Sequence, residues 1–243
     1  MKLKDLYKLV IWDIFNPFLL NLRKHNKYKL NSSFTGINLG SGIDNPPNWL
    51  GVDGGATHFL VKKLPKFITL KFFKNFNMAD NYSFEEYCDK LNSFNSIHFD
   101  LCNGVPFESE SIPNIFSSHF FEHLFKNDCD FLLKECYRVL KSGGLIRICV
   151  PSLDDVVIAI KEAIDEYENG NIKKIQKYVT SDIVGYNSKF SNHRFMYDYK
   201  ELHNLLQNIG FIEIERKYFK KGNIPDVELL DTRNGIFLEA KKP

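Results

Sequence analysis

The chain has 243 residues, of which 44% are hydrophobic and 26% are charged, and its formal net charge is +2. This length and composition suit one globular α/β domain with a substantial core, and the near-balanced charge argues against nucleic acid as a main partner. Five cysteines without a CxxC pair argue against a disulfide framework and predict a reducing, cytoplasmic environment. No apolar run reaches the length of a membrane span.

Residues 1–30 form a basic, apolar segment that differs from the rest of the chain. Seven Lys or Arg side chains occur there against two Asp, with large apolar residues between them. Asp13 and Pro17 interrupt the apolar stretch and no small-residue cleavage site follows, so the segment is not a signal peptide. Two interpretations stay open: a helix packed on the domain of residues 31–243, which we favour, or an amphipathic segment in weak peripheral contact with an anionic membrane.

Residues 37–53, with the sequence INLGSGIDNPPNWLGVD, predict two short parallel strands. One apolar run ends at Gly40-Ser41-Gly42, and the next run ends at Asp53. Ligands of open α/β sheets bind at the carboxyl ends of the strands, where glycines permit close backbone approach and an acidic residue accepts ribose hydroxyls. This pair of strand ends therefore predicts a site for an adenosine-containing cofactor.

The remainder of the chain alternates between strand and helix patterns. A helical insert is predicted at about 57–92 and a variable polar loop at about 170–195. Strands are predicted at 96–101, 115–118, 145–150, 211–218 and 236–241, and helices at 127–141, 153–168 and 199–208. Because the last two strands have no helix between them, we expect a mostly parallel sheet with an antiparallel edge hairpin.

Five sequence blocks, in order and spread over nearly the whole chain, resemble a known family. They are NLGSG with WLGVDG, HFDLCNGVPFESESIPNIFSSHFFEHL, LLKECYRVLKSGGLIRICVPSLDD, HRFMYDYKELHNLLQNIGF and GIFLEAKKP. The sequence resembles class I S-adenosylmethionine-dependent methyltransferases, most closely bacterial members often encoded near surface-polysaccharide enzymes. The resemblance implies a Rossmann-like seven-stranded sheet with helices on both faces and the last strand inserted antiparallel. It also implies that S-adenosylmethionine is converted to S-adenosylhomocysteine.

The resemblance places the cofactor contacts at the strand ends. Gly40 and Gly42 would meet the methionine part and the sulfonium, and Asp53 would hold the ribose diol. Asp100 would accept the adenine amino group, with Leu101 against the ring. The other predicted cofactor-binding residues are Asn38, Ser41, Gly54, Ser118 and His119. The alternative is a plain turn at the glycines and a helix cap at each aspartate.

One departure from the family pattern lies directly after the glycine turn. Only six residues separate Gly42 from Trp49, so the usual helix at this position is shortened or missing. Cofactor affinity would then depend more on the insert or on the N-terminal segment folding over the site.

Methyl transfer to an oxygen of high pKa requires a base as well as alignment of the reacting atoms. His119 is the first candidate for the base or acceptor contact, His193 is the second, and Glu122 lies between them in sequence. The predicted substrate-binding residues are Arg194, Tyr197 and Asp154. Structural hydrogen bonds, surface pairs and a helix cap are the alternatives for these side chains. No metal is expected, since no His/Cys/Asp cluster has metal-ligand spacing, although carboxylates from separate loops could still converge on one.

The predicted function is O-methylation of a small carbohydrate-type, nucleotide-sugar or phosphorylated acceptor in surface glycan biosynthesis. The sequence disfavours an NAD-dependent oxidoreductase because Gly42 is followed by Ile43 and a proline-containing loop instead of completing GxGxxG. Two alternatives remain open: a membrane-surface module that has lost turnover, and a methyltransferase acting on another small-molecule, lipid or protein acceptor. The sequence does not predict the oligomeric state.

Overall fold

The structure, a computed structural model, describes residues 14–70, 82–170 and 193–243. Its centre is a seven-stranded sheet in the order β3-β2-β1-β4-β5-β7-β6. The strands are β1 (Gly36–Leu39), β2 (Trp49–Asp53), β3 (Ser96–His98), β4 (Ile112–Ser118), β5 (Leu140–Val150), β6 (Ile212–Lys217) and β7 (Ile236–Lys241). β1 to β5 run parallel, and β7 runs antiparallel to β5 and β6 on either side of it. The predicted fold class is confirmed.

Helices and short 3₁₀ turns connect these strands. The α-helices are α1 (Asn16–Arg23), α2 (Ala56–Lys63), α3 (Phe84–Asn92), α4 (Lys126–Val139), α5 (Leu153–Glu168), α6 (Tyr199–Ile209) and α7 (Val227–Leu230), and the 3₁₀ turns are Leu101–Asn103 and Phe121–His123. Capping signals set several of these ends. Ser83 and Glu86 form a capping box at the start of α3, and Asp198 caps α6, which ends at Gly210.

The sheet core explains why the sequence pattern predicts the strands well. All four residues of β1 are buried, since helices cover both faces of the central parallel strands. α4 buries Cys129, Leu132, Leu133, Cys136 and Val139, which recur at helical spacing. Several boundaries differ from the prediction: β3 ends at His98, and β4 begins at Ile112. In addition, α4 ends at Val139 and β5 begins at Leu140, because Leu140 already pairs with Ile112 of β4.

The described part of the N-terminal segment packs against the sheet. The Asn16 amide donates to the Gly54 carbonyl at 3.0 Å, and its oxygen lies 2.8 Å from Nε2 of His98. Arg23 lies 2.8 Å from the other ring nitrogen of His98. The opposite side of α1 leaves Phe18 58% and Leu22 63% exposed. Within residues 14–30, α1 thus packs against the domain. Residues 1–13 lie outside the described part of the chain. Peripheral membrane contact of the segment stays a prediction.

Among the described residues, no helix has the length and apolarity needed to cross a bilayer.

Arg147 is a charged residue in the apolar second half of β5, and it is fully buried. Its Nε and Nη2 donate to the two oxygens of Asp231 at 3.0 and 2.6 Å, and Nη1 donates to Glu239 Oε1 at 2.9 Å. Nη2 also reaches the carbonyl of Tyr218 at 3.0 Å. These hydrogen bonds hold the connection between β6 and β7 against strand β5.

We expect Arg147→Met to destabilise the protein by roughly 3–5 kcal/mol, because Asp231 and Glu239 would stay buried without their counter-charge. Urea unfolding measures the loss. Glu213→Gln is the matched control, since Glu213 pairs with Lys241 at 3.2 Å on the surface, and such pairs contribute below about 1 kcal/mol. Equal losses in both variants would contradict the role given to the buried network.

Candidate active site

The carboxyl ends of β1, β2 and β4 open into a cleft of about 250 Å³. It is lined by Asn38, Gly40, Ser41, Gly42, Ile43, Asp44, Asp53, Phe116, Ser118, His119, Phe120, Leu230, Thr232 and Arg233. Seven of the ten predicted cofactor-binding residues are in this lining; Gly54, Asp100 and Leu101 are not. The cleft therefore lies where the strand ends predicted it.

Asp53 joins the glycine turn to the end of β2. The backbone N–H of Gly42 donates to one carboxylate oxygen at 3.0 Å, and that of Gly55 donates to the other at 2.6 Å. Each carboxylate oxygen can accept a further hydrogen bond. The carboxylate is thus fixed at the cleft wall with capacity left for a ligand.

The two glycines of the turn both have left-handed backbone conformations, with φ of +67° at Gly40 and +54° at Gly42. A Cβ at Gly40 would stand 2.5 Å from the ring of Phe120, whereas a Cβ at Gly42 would meet no atom within 4 Å. Gly40 is therefore required for the packing of Phe120 as well as for its conformation. Gly42 is required for its conformation alone.

Side chains, not a helix, support the loop between Gly42 and β2. Residues 42–43 and 47–48 form turns, and the Asn45 amide group donates to the carbonyl of Trp49 at 2.6 Å. Asp44 forms an ion pair with Lys90 of α3, and Ile43 packs in the apolar cluster of that helix. This arrangement agrees with the prediction that the helix after the glycine turn is shortened or missing. The contacts of Asp44 and Ile43 show that α3 of the insert supports the loop.

Three side-chain polar atoms of cleft-lining residues are buried without a hydrogen-bond partner among the described residues: Oδ1 of Asn38, Oγ of Ser41 and Oγ of Ser118. Buried polar atoms are normally satisfied, because leaving one unpaired costs free energy. The atoms of Asn38 and Ser41 can bond to the amino and carboxylate groups of a ligand such as the methionine part of S-adenosylmethionine. The donors and acceptors of the cleft thus fit that cofactor.

Asp100 and Leu101 do not reach the cleft. The Asp100 carboxylate accepts from the Cys102 backbone N–H at 3.0 Å and caps the Leu101–Asn103 turn, while Leu101 is buried in the core. Gly54 lies beside Asp100, and Leu20 of α1 approaches the same point. The local capping interpretation therefore describes Asp100 in this structure, and its contact with adenine stays a prediction.

A cluster of three histidines surrounds Glu122 next to the cleft. Glu122 is 0% exposed, and its Oε1 lies 3.5 Å from His119 Nδ1, 3.8 Å from His123 Nε2 and 3.9 Å from His193 Nε2. Burial raises the pKa of Glu122 to about 7 and lowers the pKa of His119 and His193. Among these residues, His119 alone is in the cleft lining.

Backbone hydrogen bonds bring the cluster together from distant parts of the sequence. His119 follows β4 with φ of +51°, and its N–H donates to the carbonyl of Cys149 at 2.9 Å. The N–H groups of Arg194 and Phe195 both donate to the Glu122 carbonyl, at 2.7 and 3.2 Å. The three predicted catalytic residues, His119, Glu122 and His193, therefore do converge.

The expectation of no metal-ligand set was based on spacing along the chain. The fold brings one ligand atom each of Glu122, His123 and His193 within 4.8 Å of one another. Sequence spacing could not reveal this cluster because His193 comes from a separate loop.

Residues 71–148 match a family model described as a methyltransferase domain. The match covers 78 of the 243 residues, so it shows similarity to a methyltransferase domain over that stretch. It supports the S-adenosylmethionine-dependent methyltransferase class that the sequence motifs predicted. The matched stretch includes His119 and Glu122 but neither the glycine turn nor Asp53. No curated protein matches the sequence at a significant level.

Several solved structures resemble the fold distantly. Phosphoethanolamine N-methyltransferase 2 of Haemonchus contortus, in complex with S-adenosyl-L-methionine, has a TM-score of 0.45 at 15% identity, covering 96% of this chain and 53% of that one. A SAM-dependent methyltransferase from Archaeoglobus fulgidus has a TM-score of 0.44 at 15% identity, covering 99% of this chain and 100% of the other. The chain spans about half the length of the Haemonchus protein. Similarity at this level does not establish a substrate.

The predicted substrate-binding residues of the methyltransferase domain lie outside the cleft lining. The Arg194 guanidinium stacks over the ring of Phe125 at 4.1 Å. Tyr197 is fully buried against Phe195, and burial raises its pKa, so its assignment to an open substrate pocket is corrected to a core position. Asp154 belongs to α5, and its side chain lies outside the description.

Seven residues of the cleft lining were not foreseen from the sequence: Ile43, Asp44, Phe116, Phe120, Leu230, Thr232 and Arg233. Phe120 covers Gly40, and the last three come from the connection between β6 and β7. The available signal was Arg147, since a buried arginine within an apolar strand needs acidic partners and Asp231 is one of them. Those partners place the connection at the cleft.

We expect Gly40→Ala to destabilise the methyltransferase domain more than Gly42→Ala. A left-handed alanine costs about 1–2 kcal/mol at either position, and at Gly40 displacement of the Phe120 ring adds about 1–3 kcal/mol. Urea unfolding of the two variants gives the comparison directly. Equal midpoints would show that Phe120 moves away from Gly40 without cost.

Proposed function

We propose that this protein transfers the methyl group of S-adenosylmethionine to an oxygen atom of a small carbohydrate-type or phosphorylated acceptor. The observation that supports this most is Asp53, which is hydrogen-bonded to the glycine turn in the same cleft as His119. A role in surface glycan biosynthesis rests on the family resemblance. A cytoplasmic location rests on the cysteine content of the sequence.

On the cofactor side, the chain provides fixed polar groups. Asp53 accepts the ribose hydroxyls with the lone pairs that Gly42 and Gly55 leave available. Asn38 and Ser41 offer their unpaired polar atoms to the amino-acid part. When bound, S-adenosylmethionine supplies a methyl group on a sulfonium, so the protein has mainly to align the acceptor with it.

On the acceptor side, His119 is the residue best placed to meet a hydroxyl. Its Nδ1 faces Glu122 at 3.5 Å, and its Nε2 lies 3.1 Å from the carbonyl of Asn234. Donation of the Nε2 proton to this carbonyl orients the ring and leaves Nδ1 as its basic nitrogen. Arg233, exposed in the cleft lining, offers two parallel donors to a phosphate of the acceptor.

The proposed cofactor contact predicts that Asp53→Ala weakens binding of S-adenosylhomocysteine. Loss of a charged hydrogen-bond partner costs roughly 1.5–3 kcal/mol, which is about ten- to a hundredfold in affinity. Calorimetric titration measures both proteins, and Asp89→Ala, which alters an exposed carboxylate of α3, serves as the control. Unchanged affinity in the Asp53 variant, or no binding to the folded wild type, would refute the assignment.

The proposed acceptor contact predicts that His119→Asn lowers kcat by at least about a hundredfold, since a positioned base contributes that much or more. Asparagine tolerates the left-handed backbone of this position, so the fold should persist. Release of S-adenosylhomocysteine with a panel of sugar nucleotides measures turnover, and His203→Ala on α6 is the matched control. A variant that loses affinity for S-adenosylhomocysteine but keeps kcat would place His119 on the cofactor side instead.

A further inference from the structure

Glu122 is a buried carboxylate whose two oxygens have no hydrogen-bond partner among the described residues. Buried carboxylates are normally paired with a cation or bound to a metal, because the charge is costly to remove from water. The groups nearest to Oε1 are imidazole nitrogens, at 3.5, 3.8 and 3.9 Å. Each distance is longer than a hydrogen bond. The carboxylate is therefore surrounded by ligand atoms that do not satisfy it directly.

The hydrogen bonding of His119 accentuates this arrangement. If Nε2 donates its proton to the carbonyl of Asn234, 3.1 Å away, then Nδ1 of the neutral ring is an acceptor. That acceptor would face the oxygen of Glu122, which is also an acceptor. Two acceptors that face each other are compatible when a positive charge or a proton lies near both.

The geometry of the other three groups suits a metal ion. The Nε2 atoms of His123 and His193 lie 3.8 and 3.9 Å from Glu122 Oε1. One ligand atom from each of the three residues lies within 4.8 Å of the other two. Bonds of 2.0–2.2 Å at tetrahedral angles require ligand atoms about 3.4 Å apart, so both distances to Oε1 are close to the spacing that an ion needs.

We propose that Glu122, His123 and His193 form a binding site for a divalent transition-metal ion of the Zn²⁺ type. Two imidazoles and one carboxylate form a ligand set typical of zinc sites that keep an open coordination position. The side chains of His123 and His193 are 33% and 21% exposed, so an ion can enter from solvent. The backbone N–H groups of Arg194 and Phe195 donate to the Glu122 carbonyl, and these hydrogen bonds hold the two ligand-bearing segments together without any contribution from a metal ion.

The location of the site gives it a role that rests on the proposed function. His119 lines the cofactor cleft and also contacts Glu122, so the cluster adjoins the place where the acceptor would bind. A divalent ion lowers the pKa of a hydroxyl bound to it, and that proton is the one an oxygen acceptor must lose on methylation. The substrate class implied is an acceptor whose hydroxyl, with a neighbouring oxygen, can coordinate the ion.

Titration of Zn²⁺ into the EDTA-treated, cofactor-free protein tests the site. We expect calorimetry to give one ion per chain for the wild type and at least a tenfold weaker affinity for both Glu122→Gln and His193→Ala. His25→Ala, which removes an exposed histidine of the N-terminal segment, is the matched control and should bind as the wild type does. Mg²⁺, which prefers oxygen ligands, should bind far more weakly than Zn²⁺.

Thermal unfolding keeps the result interpretable. Removing the unpaired charge in Glu122→Gln should leave the apo protein as stable as the wild type or more so, so weak Zn²⁺ binding by this variant would not reflect unfolding. The proposal is overturned if the folded wild type binds no Zn²⁺, or if both ligand variants bind it as tightly as the wild type. Binding of S-adenosylhomocysteine is measured separately. Its absence together with intact Zn²⁺ binding would reject the proposed function and leave the metal site standing.

Discussion

The buried ion network of Arg147 is the interaction on which the rest of the site depends. Arg147 is held in the apolar strand β5 by Asp231 and Glu239, and it also bonds to backbone carbonyls of the connection between β6 and β7. A buried arginine is tolerated only when nearly all of its donors are satisfied. The same connection supplies one wall of the cleft, including Arg233, and the carbonyl of Asn234 that meets His119. Sheet packing and site geometry are thereby coupled.

Glu122 presents the opposite case only one strand away. Arg147 and its partners form a closed set of short hydrogen bonds, whereas Glu122 is equally buried and lacks them among the described residues. Sequences that specify a fold satisfy buried charges, and the exceptions concentrate at functional sites. Stability of the fold gives no reason to retain a carboxylate at position 122 between imidazoles. A chemical role does give a reason. The functional inference therefore rests on Glu122 and its histidines and not on the ion network of Arg147.

The sequence predicted those features whose signals are local. The strand positions, the glycine turn and the position of Asp53 all follow from short apolar runs that end in glycine or a carboxylate. The convergence of three histidines on Glu122 and the wall at 230–233 were not predicted, because both depend on contacts between residues far apart in the chain. The prediction that Tyr197 binds substrate has a related cause. Tyr197 belongs to a polar segment of the sequence, but its side chain is buried in the core directly before Asp198, which caps α6.

The short connection between β1 and β2 indicates how such a site can work without the usual helix. A helix N-terminus contributes most where a ligand carries phosphate, and S-adenosylmethionine carries none. Here Asp53 holds Gly42 by its N–H, while the ion pair of Asp44 with Lys90 secures the next part of the loop from α3. Both interactions are made within the chain and involve no ligand atom, so they leave little backbone ordering to the binding step. Preorganisation by side chains therefore takes over the role of the missing helix.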